Sequence, residues 1–400
     1  SLDPNAPFVV LDQDGNLVFQ GDASPQDTAV AEVTAARGEA ASLSERLSRG
    51  LTSYGDPAGP VLNAHVLRNV RRQLRLIQQG QAAQSVMALF GDSWLGGEYI
   101  RGYFAKALHD VYGIAGLGWV GFQFFGTANT PPWVAGSNQP GGVKPGGGGG
   151  AILGCARYDL LPNPALNGSW TSVNAGASAN ATPSIGHISS STAGDDVSFS
   201  WSGAAHDAAD LYHPGLNAGS IRYSWDGGST WETAVNLTAT GPGKVVLANV
   251  PTGTSGSLVI EVVSGSVDLS GVDMKSSADG VRVHALSAPG SNTSHWAVDV
   301  APADWAVTVV DDLGADFVAG LLATNDQSGS TSAQTVADNA EDILQAVAAQ
   351  SSTVDLLWIA PAENIRGTAP AVTMAQYTAA VRKKAVDNGW AFVDLQAAFG

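Results

Sequence analysis

The 400-residue chain predicts an α/β fold: a parallel sheet flanked by helices and interrupted after its first helix by an all-β sandwich. Three observations carry this expectation. After about residue 280, apolar runs at 281–287, 316–323, 354–361 and 390–395 alternate with helical patterns near 332–348 and 372–388, the rhythm of βαβ units. The earlier run Ser85-Val86-Met87-Ala88-Leu89-Phe90 has the same character and leads into a helix. Between them, residues 165–278 read as short β-type runs separated by Gly, Asn and Ser, such as 196–201 and 257–263, with no helical segment.

The elements follow in chain order. Residues 8–20 are two β-type runs around Asp14-Gly15, a pair that tolerates positive φ, and predict a small hairpin. Val33, Ala36, Ala40, Leu43 and Leu47 fall on one helical stripe, either packed on its own domain or used for association between chains. Residues 63–79 predict an amphipathic helix with Val66, Leu67, Val70, Leu74 and Ile77 inward; its Arg68, Arg71, Arg72 and Arg75 read as a solvated face, with a polyanion site as the alternative. A helix with Tyr99, Ile100, Tyr103, Phe104 and Leu108 in register follows the strand at 85–90. Periodicity then collapses, and seven of residues 141–150 are Gly, which predicts a loop. The expected divisions are 1–60 (hairpin and association segment), 61–112 (first part of the α/β domain), 113–164 (connection), 165–279 (inserted sandwich) and 280–400 (second part).

Composition narrows the function. Nineteen basic residues against 36 acidic ones give a net charge of −17, which disfavours nucleic acid and anionic membrane surfaces as partners. No run approaches the ~18 apolar residues of a membrane span. No secretory signal is visible, and a chain opening on Ser1 is expected to be trimmed or a fragment. The single Cys155 has no His or Cys beside it and reads as a small buried hydrophobe, so neither metal nor cofactor is expected.

The chemistry is expected at strand ends. Gly91-Asp92-Ser93 is a weak motif alone, but it stands between a strand and a helix, where a hydroxyl is exposed above the sheet edge beside a positive helix terminus. A serine nucleophile needs a base, and acyl transfer needs donors aimed at the oxyanion. Ala288-Pro289-Gly290-Ser291 and Ala323-Thr324-Asn325-Asp326 end two further strands, and in a parallel sheet all three ends open on one edge. This three-block pattern resembles the SGNH/GDSL hydrolase family. The resemblance implies a flavodoxin-like three-layer sheet, with Ser93 as nucleophile and the Ser93 amide, Gly290 amide and Asn325 side chain as oxyanion donors. Gly116 and Gly118 are rival donors, and Asp92, Trp94 and Trp119 are assigned to substrate contact. The family's last block, Asp-x-x-His, supplies the base. No histidine lies beyond His295, so that block is expected beyond Gly400; His295 as a substitute base, or an inactive site, are the alternatives. His284 reads as a satisfied core residue, and His65, His109, His187, His206 and His213 as surface or packing residues.

Other segments suggest the substrate. Ser224-Trp225-Asp226-Gly227-Gly228-Ser229-Thr230-Trp231 fits the Asp-box pattern of sialidase propellers, but one copy makes no propeller; it predicts a hairpin turn capped by Asp226, with Trp231 packed in the sandwich. Trp119, Trp133, Trp201, Trp225 and Trp231 offer flat faces for pyranose rings. SGNH proteins with a carbohydrate-binding sandwich inserted after the first helix resemble polysaccharide or peptidoglycan O-acetylesterases, and Gly113-Ile114-Ala115-Gly116-Leu117-Gly118-Trp119 is similar to the "G-x-A-G-x-G-W" stretch of that group. The segment Glu32–Leu47 is similar to one found in phage tail fibres and tailspikes, with its Gly displaced by one residue, which implies a homotrimer on a virion. The expectation is a serine O-acetylesterase acting on an acetylated bacterial surface polysaccharide, virion-borne or extracellular. A non-catalytic glycan-binding tail protein and a bacterial peptidoglycan O-acetylesterase are the alternatives.

Overall fold

The computed structural model describes residues 8–11, 17–21, 61–96, 98–122, 156–161, 165–173, 182–288, 290–300, 302–363 and 370–399. The stripe at residues 33–47, the turn Asp14-Gly15, Trp133, the Gly run at 141–150 and Cys155 lie outside them. The chain divides into two compact units, Ser1–Leu62 and Asn63–Gly400. In the first, β1 (Phe8–Leu11) pairs antiparallel with β2 (Leu17–Gly21), with Phe8 opposite Gly21 and a register shift at Val10/Leu11.

The second unit opens with a 3-10 turn and α1 (Arg68–Gln78), followed by β3 (Gln84–Gly91), α2 (Ser93–Gly96), α3 (Glu98–Tyr112) and β4 (Gly118–Gly121). An all-β stretch follows: β5 (Ala165–Asn167), β6 (Thr171–Val173), β7 (His187–Ser190), β8 (Asp196–Ser202), β9 (Ala208–His213), β10 (Ser220–Ser224), β11 (Val235–Asn236), β12 (Gly243–Leu247), β13 (Ser255–Ser264), β14 (Val267–Leu269) and β15 (Gly271–Lys275). Strands and helices then alternate: β16 (Gly280–Ser287), α4 (Thr293–Ala297), α5 (Pro302–Val307), β17 (Phe317–Leu321), α6 (Thr324–Ser328), α7 (Ala333–Gln350), β18 (Asp355–Ala360), α8 (Met374–Asn388), β19 (Ala391–Asp394) and α9 (Leu395–Phe399).

The parallel sheet has the order β16-β3-β17-β18-β19. Numbered along the chain this is 2-1-3-4-5, the doubly wound order whose ligands bind at the carboxyl ends of the strands where the order reverses. That point lies between β3 and β17, where Gly91 pairs with Leu321; on its other side Gly91 pairs with Ser287 of β16. β16 and β17 are buried along their whole length, as a parallel sheet covered on both faces requires. α7 packs through Val336, Ala340, Ile343, Leu344 and Val347. Ser332 caps its start by accepting from Thr335 N–H, and α8 carries a Thr373/Gln376 capping box and ends at Gly389 with φ +74°.

The inserted strands form three antiparallel sheets, β11-β10-β13-β8-β5, β12-β9-β15-β4 and β14-β7-β6. Val197, Phe199 and Trp201 alternate inward along β8 and meet Leu211, Leu258, Ile260, Val272 and Met274 in one apolar core. Because Leu211, Val272 and Met274 point inward, Tyr212 and Asp273 occupy the outer face of β9 and β15. That face meets β16 in a seam, with Asp273 Oδ1 3.8 Å from His284 Nδ1. β4 was not expected, since Gly-Trp-Val-Gly carries no strand periodicity; it extends the insert's sheet by pairing with β15. Gly116 (φ +105°) and Gly118 (φ +70°) belong to this seam. A Cβ would stand 2.4 Å from Met274 O at the first and 2.5 Å from Val283 O at the second, so both glycines serve backbone packing.

Candidate active site

Ser93 stands two residues past Gly91, the end of β3, and opens α2, half-buried at the carboxyl edge of the sheet. The turn is built by its two predecessors. Gly91 lies so close to β17 that a Cβ would stand 2.5 Å from Leu321 O. Asp92 is buried and its Oδ1 accepts the Trp94 N–H at 2.8 Å, an Asx-type turn that bends the strand into the helix. Burial pushes the Asp92 carboxyl up to about 7 against the opposing Trp94 N–H, and the charge of Asp326 adds to the rise. Trp94 is 45% exposed and open to a ligand.

The second block follows β16. Ser291 N–H donates to Ala288 O at 3.0 Å, closing a turn over exposed Gly290 at φ +83°. The third block follows β17. Asn325 Nδ2 donates to Ser291 O at 2.8 Å and lies 3.5 Å from Asp92 Oδ2. One amide group thus spans all three blocks, and the expected nucleophile and donor loops meet at one edge. Ala323, the first residue of this block, holds φ +118°.

Sequence reasoning missed the brace beneath these loops. The buried Asp326 carboxylate accepts Thr293 N–H at 3.0 and 3.2 Å and Thr293 Oγ1–H at 2.7 Å, while Asn339 Nδ2 donates to Thr293 Oγ1 at 3.0 Å. Burial raises the Asp326 carboxyl above its ordinary value, opposed by the Thr293 donors. Block III is thereby tied to the helix after block II and to α7. The available signal was the acid beside Asn325 in Ala-Thr-Asn-Asp; Thr293 and Asn339 carry none. Trp296 Nε1 donates to Ser291 Oγ at 3.1 Å, and its ring packs with Phe90 and Trp305 under the loops.

Several expected roles change. Trp119 has no exposed surface: it lies in the seam, edge-on to Tyr212 at 5.5 Å, and does not touch substrate. Asp92 is likewise buried, so it supports the Ser93 turn in place of contacting ligand. His295 is committed to the α4 cap, its Nδ1 accepting the Asn292 N–H at 3.2 Å while Nε2 faces Asp299 at 3.9 Å. His284 is fully buried in β16 as expected, yet neither ring nitrogen has a hydrogen-bond partner, and burial holds it neutral. Trp231 is half-buried beneath the Arg222 guanidinium, 4.2 Å away, outside the sandwich core, whereas Asp226 caps its loop by accepting Thr230 N–H at 2.8 Å. Among the described residues no group of three or more His, Cys, Asp or Glu is placed to hold a metal. No described helix is long and apolar enough to cross a membrane.

No family model matches the chain, and no curated protein matches it. Solved structures do. A peptidoglycan O-acetylesterase structure aligns over 85% of this chain and 87% of its own, with a TM-score of 0.59 at 18% identity. The two chains share a fold across both the parallel sheet and the insert. A family two carbohydrate esterase from Cellvibrio japonicus matches over 56% of this chain and 88% of its own at 12% identity, with a TM-score of 0.25.

Proposed function

We propose that the protein is a serine esterase that removes O-acetyl groups from a bacterial surface glycan. The observation that carries this reading is the Asn325 amide linking the Ser93 turn to the Gly290–Ser291 turn at the carboxyl edge of a 2-1-3-4-5 sheet. The fold shared with the peptidoglycan O-acetylesterase supports it.

In the reaction, Ser93 Oγ attacks the acetyl carbonyl. The Ser93 amide, the Gly290 amide and Asn325 Nδ2 receive the oxyanion, with Asn325 turning the hydrogen now directed at Asp92 Oδ2, 3.5 Å away, toward the developing charge. Collapse expels the sugar hydroxyl and leaves an acetyl group on Ser93, which water then releases as acetate. The reaction needs a general base to take the Ser93 Oγ proton, a role that the SGNH pattern gives to the histidine of an Asp-x-x-His block. β19 ends at Asp394 on the same edge as Ser93. Exposed Trp94 offers a face to the sugar beside the nucleophile.

An acetylated polysaccharide is the proposed substrate class, with peptidoglycan as the alternative that the shared fold favours. The Glu32–Leu47 segment supports carriage as a homotrimer on a virion, which the mass of the intact protein by light scattering tests. The esterase is tested by release of 4-nitrophenol from 4-nitrophenyl acetate, and of acetate from acetylated polysaccharide, by this chain, by its Ser93→Ala variant and by a form extended beyond Gly400. Ser93-dependent turnover is the expected result; none in any form on either substrate overturns the reading in favour of glycan binding alone.

A further inference from the structure

The opposite edge of the parallel sheet carries a second feature. α1 crosses it: Val70 N–H donates at 2.8 Å to Asp355 Oδ2, on the first residue of β18, and Asn63 Nδ2 donates at 2.9 Å to Trp390 O, just ahead of β19. Ser93 follows the other end of β3, so α1 and the nucleophile occupy opposite edges.

Arg68, Arg71, Arg72 and Arg75 stand at positions i, i+3, i+4 and i+7 of α1 and share one face. All four are exposed, with Val70 buried on the inner side. None has a carboxylate partner among the described residues. Elsewhere among the described residues seven cations, Lys106, Arg157, Arg222, Lys244, Lys275, Lys383 and Lys384, pair with acids. The chain has 36 acidic residues, yet none falls between Asp56 and Asp92. Like charges three and four residues apart repel on a helix, and Arg68 adds a cation at the positive end of the helix dipole. This stripe therefore works against its own helix until an external anion covers it.

We propose that the stripe binds an acidic polysaccharide through its carboxylates. The inference rests on the glycan-directed reading of the Ser93 edge. Guanidinium forks match carboxylates with two parallel hydrogen bonds, a geometry that Lys lacks. A membrane or a nucleic acid duplex presents a broad negative surface that a body of net charge −17 repels, whereas a single glycan chain meets the stripe alone. The stripe holds the polymer at one end of the sheet and raises the local concentration of its acetyl esters at the other.

The test measures binding of the whole chain to polygalacturonate, to neutral dextran, to duplex DNA and to phosphatidylglycerol vesicles, at low and high salt. The proteins are the unsubstituted chain, R68Q/R71Q/R72Q/R75Q, the corresponding four-lysine variant and Ser93→Ala, with circular dichroism confirming that each is folded. The expected result is salt-sensitive binding to polygalacturonate only, weakened at least about tenfold by the glutamine variant, less by the lysine variant, and unchanged in Ser93→Ala. Equal binding by a folded glutamine variant, no binding by the unsubstituted chain, or stronger binding to DNA or vesicles overturns the proposal. Because acetate release is scored separately through Ser93, failure of the esterase reading leaves a different signature from failure of the stripe.

Discussion

The two edges of the parallel sheet bury carboxylates under the same electrostatic stress and put them to different uses. At the carboxyl edge stand Asp92 and Asp326; at the amino edge stand Asp316 and Asp355. Burial pushes both Asp92 and Asp316 up to about 7 and raises the other two as well. Asp316 accepts Val86 N–H at 3.1 Å and Ser85 Oγ–H at 3.3 Å, and Asp355 accepts Val70 N–H, so these two clamp strand starts to their neighbours. Asp92 and Asp326 instead brace the loops that carry Ser93 and Asn325. A perturbed carboxyl therefore reports burial at either edge. What separates the two edges is the meeting of three strand-end loops, those of Ser93, Gly290–Ser291 and Asn325, at the carboxyl edge alone.

Ser93→Ala breaks that comparison most sharply. It is expected to lower kcat by about 10⁴-fold or more while leaving the melting temperature in place. Hydrolysis kinetics and a thermal melt on the same preparation check both halves; retained activity removes Ser93 from the mechanism. Asn325→Ala follows, with an expected loss of about 10²–10³-fold in kcat, roughly 2.7–4 kcal/mol of transition-state stabilisation. Because Asn325 also anchors Ser291 O, a fall in KM-independent turnover together with an unchanged far-ultraviolet spectrum distinguishes loss of the donor from collapse of the edge.

Much of this architecture was legible in the sequence. Apolar runs such as Val86–Phe90 mark strands buried on both faces, and strand-end placement brought Ser93, Gly290 and Asn325 to one edge before any coordinates. What escaped depends on contacts distant in the chain. Trp119 looks like a sugar platform beside glycines, but those glycines let β4 press against β16 and seal the ring in the seam. Thr293 acts only because Asp326 reaches it from 33 residues away and Asn339 from 46. No local periodicity encodes such a meeting.

The pH dependence of stability sharpens the comparison next. Asp92 and Asp316 hold protons to about pH 7 when folded, whereas an exposed aspartate releases its proton near 3.8. The folded state thus binds more protons between those values. The stabilisation is fully present below about pH 4 and is lost as pH rises through 7, on the order of a few kcal/mol for each group. Asp316→Asn, which keeps an acceptor for Val86 N–H, is expected to flatten that decline without altering turnover. Asp92→Asn is expected to flatten it and to change turnover as well. Urea unfolding from pH 4 to 8 checks the slope, and an unchanged slope in Asp316→Asn refutes the assignment. At the same amino edge, Asp355→Ala leaves the Val70 N–H unpaired and is expected to cost about 1–3 kcal/mol of stability with activity per folded molecule preserved.

The smallest expected effect tests whether the carboxyl edge stores strain that the rest of the sheet lacks. Ala323 sits at φ +118°, ψ −14°, a region glycine enters freely and alanine enters at a cost, immediately before the loop that positions Asn325. Ala323→Gly relieves about 1–2 kcal/mol of backbone strain and gives back about 0.4–1 kcal/mol through the freer unfolded chain. A net stabilisation of up to about 1.6 kcal/mol is expected. Ala319, inside β17 four residues earlier, has no such strain to relieve, so Ala319→Gly is expected to destabilise by about 0.5–1 kcal/mol. Opposite signs in paired urea titrations locate the strain at the loop. If Ala323→Gly also lowers kcat, the alanine's restricted backbone is helping to hold Asn325 over Ser291 O, and strain at this edge serves the chemistry.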